Sequence, residues 1–338
     1  MKKVLVVFVL LAAFSAGAFA QLVLNGEFYT GLEVYIPRNY SSHETIRMNH
    51  VDHHKPEGTT LFNVTGTYTR DSFGLKLDTD FRDAAANFYT LNGAYGWASF
   101  FDSQIRVSMG KISDGVWVTS LENEYVLDEL RGFRVELKPQ FIEGLNVGAA
   151  FRAGESTAPD FDGEEFGYGM VLGASYITPV FNAVAAYDRS GSGTVIGGIN
   201  YTGIYNLTDA GIEIRYGEFA DWETIGYFTI DEKIGYRVMR PLTVSLRAAQ
   251  TVYGDSKKDA ALLFNPEVAY RLTPTLTAGL EAELDSPDYF TTANLAVVPY
   301  VDIALPGAAY IFFQYKMSLI DMKDPDHSIG VGLTVKAF

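Results

Sequence analysis

The chain has 338 residues, no cysteine, 26 Lys and Arg against 41 Asp and Glu, and a net charge of −15. This excludes a disulfide framework, a Cys-based zinc site and a thiol nucleophile, and it argues against nucleic acid, whose phosphates are held by clustered Lys and Arg. With 48% hydrophobic and 14% aromatic residues the chain is too apolar for disorder, yet beyond residue 20 no apolar run reaches the ~18 residues of a membrane helix.

Residues 1–20 read as a secretory signal: Lys2 and Lys3 form a positive start, Val4 to Phe14 an apolar core, and Ala18-Phe19-Ala20 a small-x-small cleavage site. A short buried helix or anchor would need a longer core and other flanks. The expected mature chain, 21–338, begins at Gln21 and carries 24 basic and 41 acidic residues, a net −17.

From Gln21 onward the period is 2. Phe73-Gly-Leu75-Lys-Leu77-Asp-Thr79-Asp-Phe81-Arg82 puts apolar side chains on one face and Lys76, Asp78, Asp80 and Arg82 on the other. Phe133 to Lys138, Leu145 to Arg152, Ile212 to Tyr216 and Leu276 to Leu284 repeat the pattern, as strands with one apolar and one polar face do. Strands are expected near 22–36, 58–70, 73–83, 90–101, 104–112, 131–138, 144–153, 166–177 and 181–189. Further ones are expected near 193–203, 207–219, 222–238, 242–253, 260–271, 275–285, 290–304, 307–320 and 327–338.

The connections alternate in character. Residues 37–57, 113–130, 154–165 and 254–259 are longer and polar, whereas Asp71-Ser72, Asp102-Ser103, Thr178-Pro179-Val180, Met239-Arg240-Pro241, Thr273-Pro274 and Pro306-Gly307 are tight turns. Every long one lands on the same side, as in outer-membrane barrels with short periplasmic turns. Charges in mid-strand on the polar face fit a wet lumen inside a lipid-facing exterior; a soluble sandwich is the competing reading. The strand count is 16 or 18, because 222–238 is too long for one span and sets Glu232 on the wrong face, which suggests a break or bulge. Either count encloses water. One transmembrane antiparallel β-barrel domain, without an N-terminal plug, is expected.

Over its mature length the chain resembles the outer-membrane porin family, through the signal segment, the strand rhythm, the final Ile329 to Phe338 strand and the loop after the fifth strand. Phe338 departs from the family's terminal signal, being out of phase with Ile329, Val331, Leu333 and Val335. The resemblance implies an outer-membrane location, contact with outer-membrane lipid and barrel-insertion machinery, and a possible homotrimer. It also implies that loop 113–130 folds into the lumen, with Asp114, Glu122, Glu124, Asp128 and Glu129 facing a basic wall of Lys76, Arg82, Arg106 and Arg134. Lys138 and Arg152 share the inward-facing positions of nearby strands. The alternative leaves this loop across the outside, its acids solvated.

His43, His50, His53 and His54 gather in the first outer loop, where a metal is conceivable but incidental clustering is the plainer reading. His327 beside Asp326 is a poor hydrolase site. No catalytic site, metal site or cofactor is expected. The expected function is a diffusion channel for small hydrophilic solutes and ions. The alternative is a structural or adhesive surface barrel with an occluded lumen; transport of hydrophobic solutes fits poorly with an ionic lumen.

Overall fold

The computed structural model describes residues 21–36, 45–47, 61–82, 89–118, 121, 125–127, 130–152, 169–189, 193–203, 206–288, 292–306, 309–320 and 325–337. Eighteen strands form a closed antiparallel barrel. In chain order they are β1 Gln21–Ile36, β2 Leu61–Arg70, β3 Phe73–Arg82, β4 Tyr89–Phe100, β5 Ile105–Ile112 and β6 Leu130–Leu137. Next come β7 Leu145–Arg152, β8 Met170–Ile177, β9 Phe181–Asp188, β10 Thr194–Thr202, β11 Leu207–Gly217 and β12 Tyr227–Met239. The last six are β13 Leu242–Tyr253, β14 Ala261–Thr273, β15 Leu276–Ser286, β16 Asn294–Leu305, β17 Ala309–Leu319 and β18 Pro325–Ala337.

Each strand pairs with its sequence neighbours, and β1 closes the ring on β18 from Gly26↔Ala337 to Ile36↔His327. Closure leaves no sheet edge, so the backbone donors and acceptors of the strands are satisfied within the wall even where hydrocarbon surrounds it. Among the described residues no helix is long and apolar enough to cross a membrane. The sole helical turn among them is Phe219–Asp221, a 3₁₀ turn of three residues.

The register sorts side chains by face. Leu75, Leu77, Val107, Val135, Val147, Ile212, Ile214, Val268 and Leu280 point outward in mutually paired rows, while Lys76, Asp78, Arg106, Arg134, Glu213, Asp231 and Glu281 point inward. Aromatic contacts mark both ends of the outward face. Near the short turns Phe181 packs against Tyr176 at 5.4 Å and Tyr201 at 5.9 Å. At the other end Tyr216 meets Phe219 at 5.6 Å and Trp222 at 5.3 Å. Two such girdles around an apolar band are what a barrel with one end in each membrane interface requires.

The number is eighteen, and the expected break near Glu232 is a correction: the register runs unbroken through it, Ile212↔Glu232↔Ala248. The length anomaly has a different cause. Residues 219–226 are not strand; they hold the 3₁₀ turn, and β12 starts at Tyr227. Phe338 lies outside the described residues.

Candidate pore constriction

The loop after β5 starts as the alternation predicts, at Ser113, and turns into the barrel. Val116–Val118 pairs with Tyr125–Leu127 as a small hairpin, Val116↔Leu127 and Val118↔Tyr125. Its side chains Val116, Trp117 and Leu127 belong to a buried cluster with Tyr95, Ile112, Leu130, Ala150, Val171 and Val184. Ala150, Val171 and Val184 are inward positions of β7, β8 and β9, so the hairpin lies against the inner wall. Two glycines make room for it. A Cβ on Gly173 would overlap the Trp117 indole, and one on Gly211 would come within 2.6 Å of the Leu121 side chain. The loop thus reaches from β5 to β8 and β11 across the inside of the barrel. Trp117 has φ of 57°, an uncommon conformation for a bulky residue, and burial of its indole holds it there.

Asp114 ties the base of this loop to the wall. Lys76 and Tyr95 donate short hydrogen bonds to its carboxylate, Arg106 stands 3.8 Å away, and the Arg134 guanidinium donates to its carbonyl at 2.6 Å. Burial pushes the Asp114 carboxyl up, but the hydrogen bonds from Lys76 and Tyr95 and the charges of Lys76 and Arg106 outweigh it and hold it below the usual carboxylate range. Arg106 also lies over the Trp97 ring at 4.7 Å. Below the loop, Arg134 and Glu136 form a 2.9 Å ion pair with side chains only 2% and 3% exposed. Lys138 at 3.3 Å and Asn146 at 3.1 Å complete the Glu136 environment. A polar hollow of about 330 Å³ opens between Arg106, Ser113, Asp114, Arg134, Glu136 and Lys138.

Of the residues singled out from sequence, Lys76, Arg106, Arg134 and Asp114 therefore meet in one network. Asp114 binds the bases directly instead of facing them across water. Arg82 ends β3, and its side chain lies outside the described residues. So do Glu122, Glu124, Asp128 and Glu129, and the histidines His43, His50, His53 and His54. Arg152 pairs with Asp188 at 3.1 Å. His327 sits at the outer end of β18, stacked on Tyr315 with its Nδ1 2.6 Å from the phenol, as part of the outward girdle.

Sequence reasoning missed the opposite wall. Glu267 on β14 accepts a 3.1 Å hydrogen bond from Ser245 and a short one from Tyr300, and Glu281 on β15 accepts from Asn265 at 2.8 Å. Asp302 on β16 faces inward with them. On the walls between, acids meet bases: Asp231 with Arg247, and Asp209 with Lys233 at 2.9 Å. β14 is nine strands from β5, half of the eighteen. A basic cluster and an acidic one thus face each other across the lumen, setting up a transverse field.

The Asp114 link has a pH signature. A carboxyl held below its ordinary value contributes fully above that value, and the contribution is lost only as pH falls through the lowered one. Channel noise and conductance should stay flat from neutral pH to about 4, the usual Asp range, and change only in stronger acid. Asp114→Asn should show the acid behaviour already at pH 7, as checked by single-channel recording across pH.

A closed barrel of this size, apolar outside, ionic inside and narrowed by a loop from one end, has the architecture of a transmembrane β-barrel with a wet lumen. The solved structures agree on the fold. The chain is similar to OccAB3 of Acinetobacter baumannii, with a TM-score of 0.65 at 10% identity over 95% of this chain and 100% of that one. OprD of Pseudomonas aeruginosa gives 0.61 at 11% identity over 94% and 95%. A mutant of the Rh. blastica porin gives 0.52 at 14% identity over 94% and 100%. No protein-family model and no curated protein sequence matches the chain.

Proposed function

We propose that this protein is an outer-membrane porin: a passive, water-filled channel for small hydrophilic solutes and ions, not an enzyme. Residues 1–20 direct its export, the mature chain starts at Gln21, and insertion machinery places the barrel in the outer membrane as a homotrimer. The observation that carries this reading is the ionic inner face, with Lys76, Arg106 and Arg134 on one wall and Glu267, Glu281 and Asp302 on the other. A barrel serving only to display loops has no need of opposed charges on its inner face. The solved structures with this fold include proteins named porins, in keeping with it.

Selectivity follows from the balance at the narrow zone. Asp114 and Glu136 offset the bases beside them, whereas Glu267 is hydrogen-bonded to the neutral Ser245 and Tyr300. The sum is a modest cation preference that strengthens at low salt, since lumenal fields are screened within ~8 Å at physiological ionic strength. Glu267→Gln with Glu281→Gln should move the reversal potential in a salt gradient toward anions. Proteoliposome swelling tests the function itself: neutral sugars should enter at rates that fall steeply with their size. Folded barrels that admit none of them would favour the occluded, adhesive reading.

A further inference from the structure

β12 and β14 end alike on the short-turn side. The first closes with Tyr236-Arg237-Val238-Met239 and the second with Tyr270-Arg271-Leu272-Thr273. In both, the register slips immediately after the arginine, between Arg237 and Met239 and between Arg271 and Thr273. The tyrosines lie on the outward face and the arginines on the inward one, Arg237 in the row of Asp231 and Arg271 in the row of Glu267. A bulge re-aims the side chain beside it, and bulges gather at barrel rims and functional sites. Two of them, each directly after an inward arginine, mark a built feature of this rim.

Arg237, Arg271 and Arg240, the last in the turn from β12 to β13, are exposed. Among the described residues none of the three makes an ion pair or a side-chain hydrogen bond. The lumenal bases just above them are paired: Lys233 with Asp209, Arg247 with Asp231 and Arg215 with Glu213. Arg237 is level with Thr243 on β13 and Ala269 on β14, and Arg271 lies two residues below Ala269. Two strand spacings and two residues of rise put the arginine Cα atoms about 12 Å apart. Thr243 faces inward between them and adds a hydroxyl donor. The neighbouring carboxylates on this wall are Asp302, level with Arg271 two strands on, and Glu267, four residues above it.

We propose that Arg237, Arg271 and Thr243 form an anion site at the periplasmic mouth, for a soluble anion carrying two or more linked phosphate groups. A guanidinium offers a planar fork that matches phosphate oxygens two at a time. Two forks set this far apart suit a ligand with several charged groups better than chloride or a single carboxylate. Both arginines point into the lumen and away from lipid, so the ligand is a solute and not a headgroup. Arg240 at the rim adds to the field that draws it in. An anion arriving from the periplasm meets the arginines first, while Glu267, Glu281 and Asp302 repel it further along the same wall. It docks and obstructs the mouth without passing. From the outer side it must first cross the zone that the hairpin narrows, so the obstruction is one-sided. The effect on current rests on the porin reading; the binding does not.

Tripolyphosphate is the probe, added to one side of single channels in a planar bilayer at about 0.1 M salt, where fields still reach ~10 Å. The chain has no cysteine, so S72C in the β2–β3 turn supplies a unique thiol, and coupling polyethylene-glycol maleimide to it identifies the short-turn side by the fall in current. From that side tripolyphosphate should interrupt the current in discrete blocks, at a concentration roughly tenfold or more below that needed from the other side. R237Q/R271Q should raise the blocking concentration by roughly tenfold or more, the loss expected when charge-assisted hydrogen bonds go. Heat-dependent gel mobility shows that the variant is folded. Equilibrium dialysis of tripolyphosphate against the detergent-purified barrel gives a second reading that needs no current: the parent should bind it and R237Q/R271Q should not. Conducting channels that are not blocked, equal block from both sides, block unchanged in R237Q/R271Q, or no binding to the parent would overturn the proposal. A barrel that binds the anion through these arginines yet conducts nothing would count against the porin reading alone.

Discussion

Trp117→Ala should open the channel. The indole is 1% exposed, it fills the space left by Gly173, and it anchors the hairpin to the inner wall through Ala150, Val171 and Val184. Truncating a buried Trp to Ala destabilises its surroundings by ~3–5 kcal/mol, which is two orders of magnitude or more in the balance between docked and released loop. Single-channel conductance should rise and become noisy, while the barrel keeps its heat-dependent mobility because the strand ladder is untouched. Gly173→Val should reproduce the effect from the other side, by occupying the indole's place. If neither substitution alters conductance, the hairpin is not the narrow point of the lumen.

The second large effect is on stability. Arg134→Met removes the 2.9 Å partner of Glu136 and leaves a carboxylate that is 3% exposed. Breaking a buried ion pair from one side costs ~3–5 kcal/mol, and Lys138, half exposed and 3.3 Å away, offsets only part of it. The urea midpoint of the folded barrel should fall well below that of the parent. Arg134→Met with Glu136→Met should recover most of the loss, because no charge is then left unpaired. Equal destabilisation by the single and double changes would mean that the pair acts through shape alone.

Most of the barrel was legible in the sequence because the period of 2 is a direct consequence of lipid outside and water inside. Leu75, Leu77 and Phe81 alternate with Lys76, Asp78 and Asp80, and nothing but a strand places them so. The side of the long loops was equally plain from their lengths. The start of β12 was not: Trp222 and Ile225 look like strand residues, but they follow a 3₁₀ turn that packs Phe219 and Trp222 onto Tyr216. Reading Glu232 as a bulge rested on the premise that lipid covers every outward position, whereas the register holds it outward between Ile212 and Ala248.

The constriction was half legible. Ser113 to Leu130 advertised itself by length and by its apolar anchors, and Lys76, Arg106 and Arg134 by parity. Its landing place was hidden, because the middle of β8 and β9 is apolar on both faces, Val171, Gly173, Val184 and Ala186 inward, Leu172, Ala174, Ala183 and Ala185 outward. That double apolarity was the available signal: a lumenal face that is not polar must be covered from within. The acidic wall was hidden for another reason. Tyr300 reaches Glu267 from 33 residues away, a pairing set by strand order and not by any local spacing.

The most direct test of the account is the current carried by single molecules of the purified protein in a planar bilayer. The structure predicts discrete, voltage-independent conductance steps at low field, with the reversal potential in a salt gradient on the cation side. A correctly folded barrel that inserts yet passes no current would contradict it.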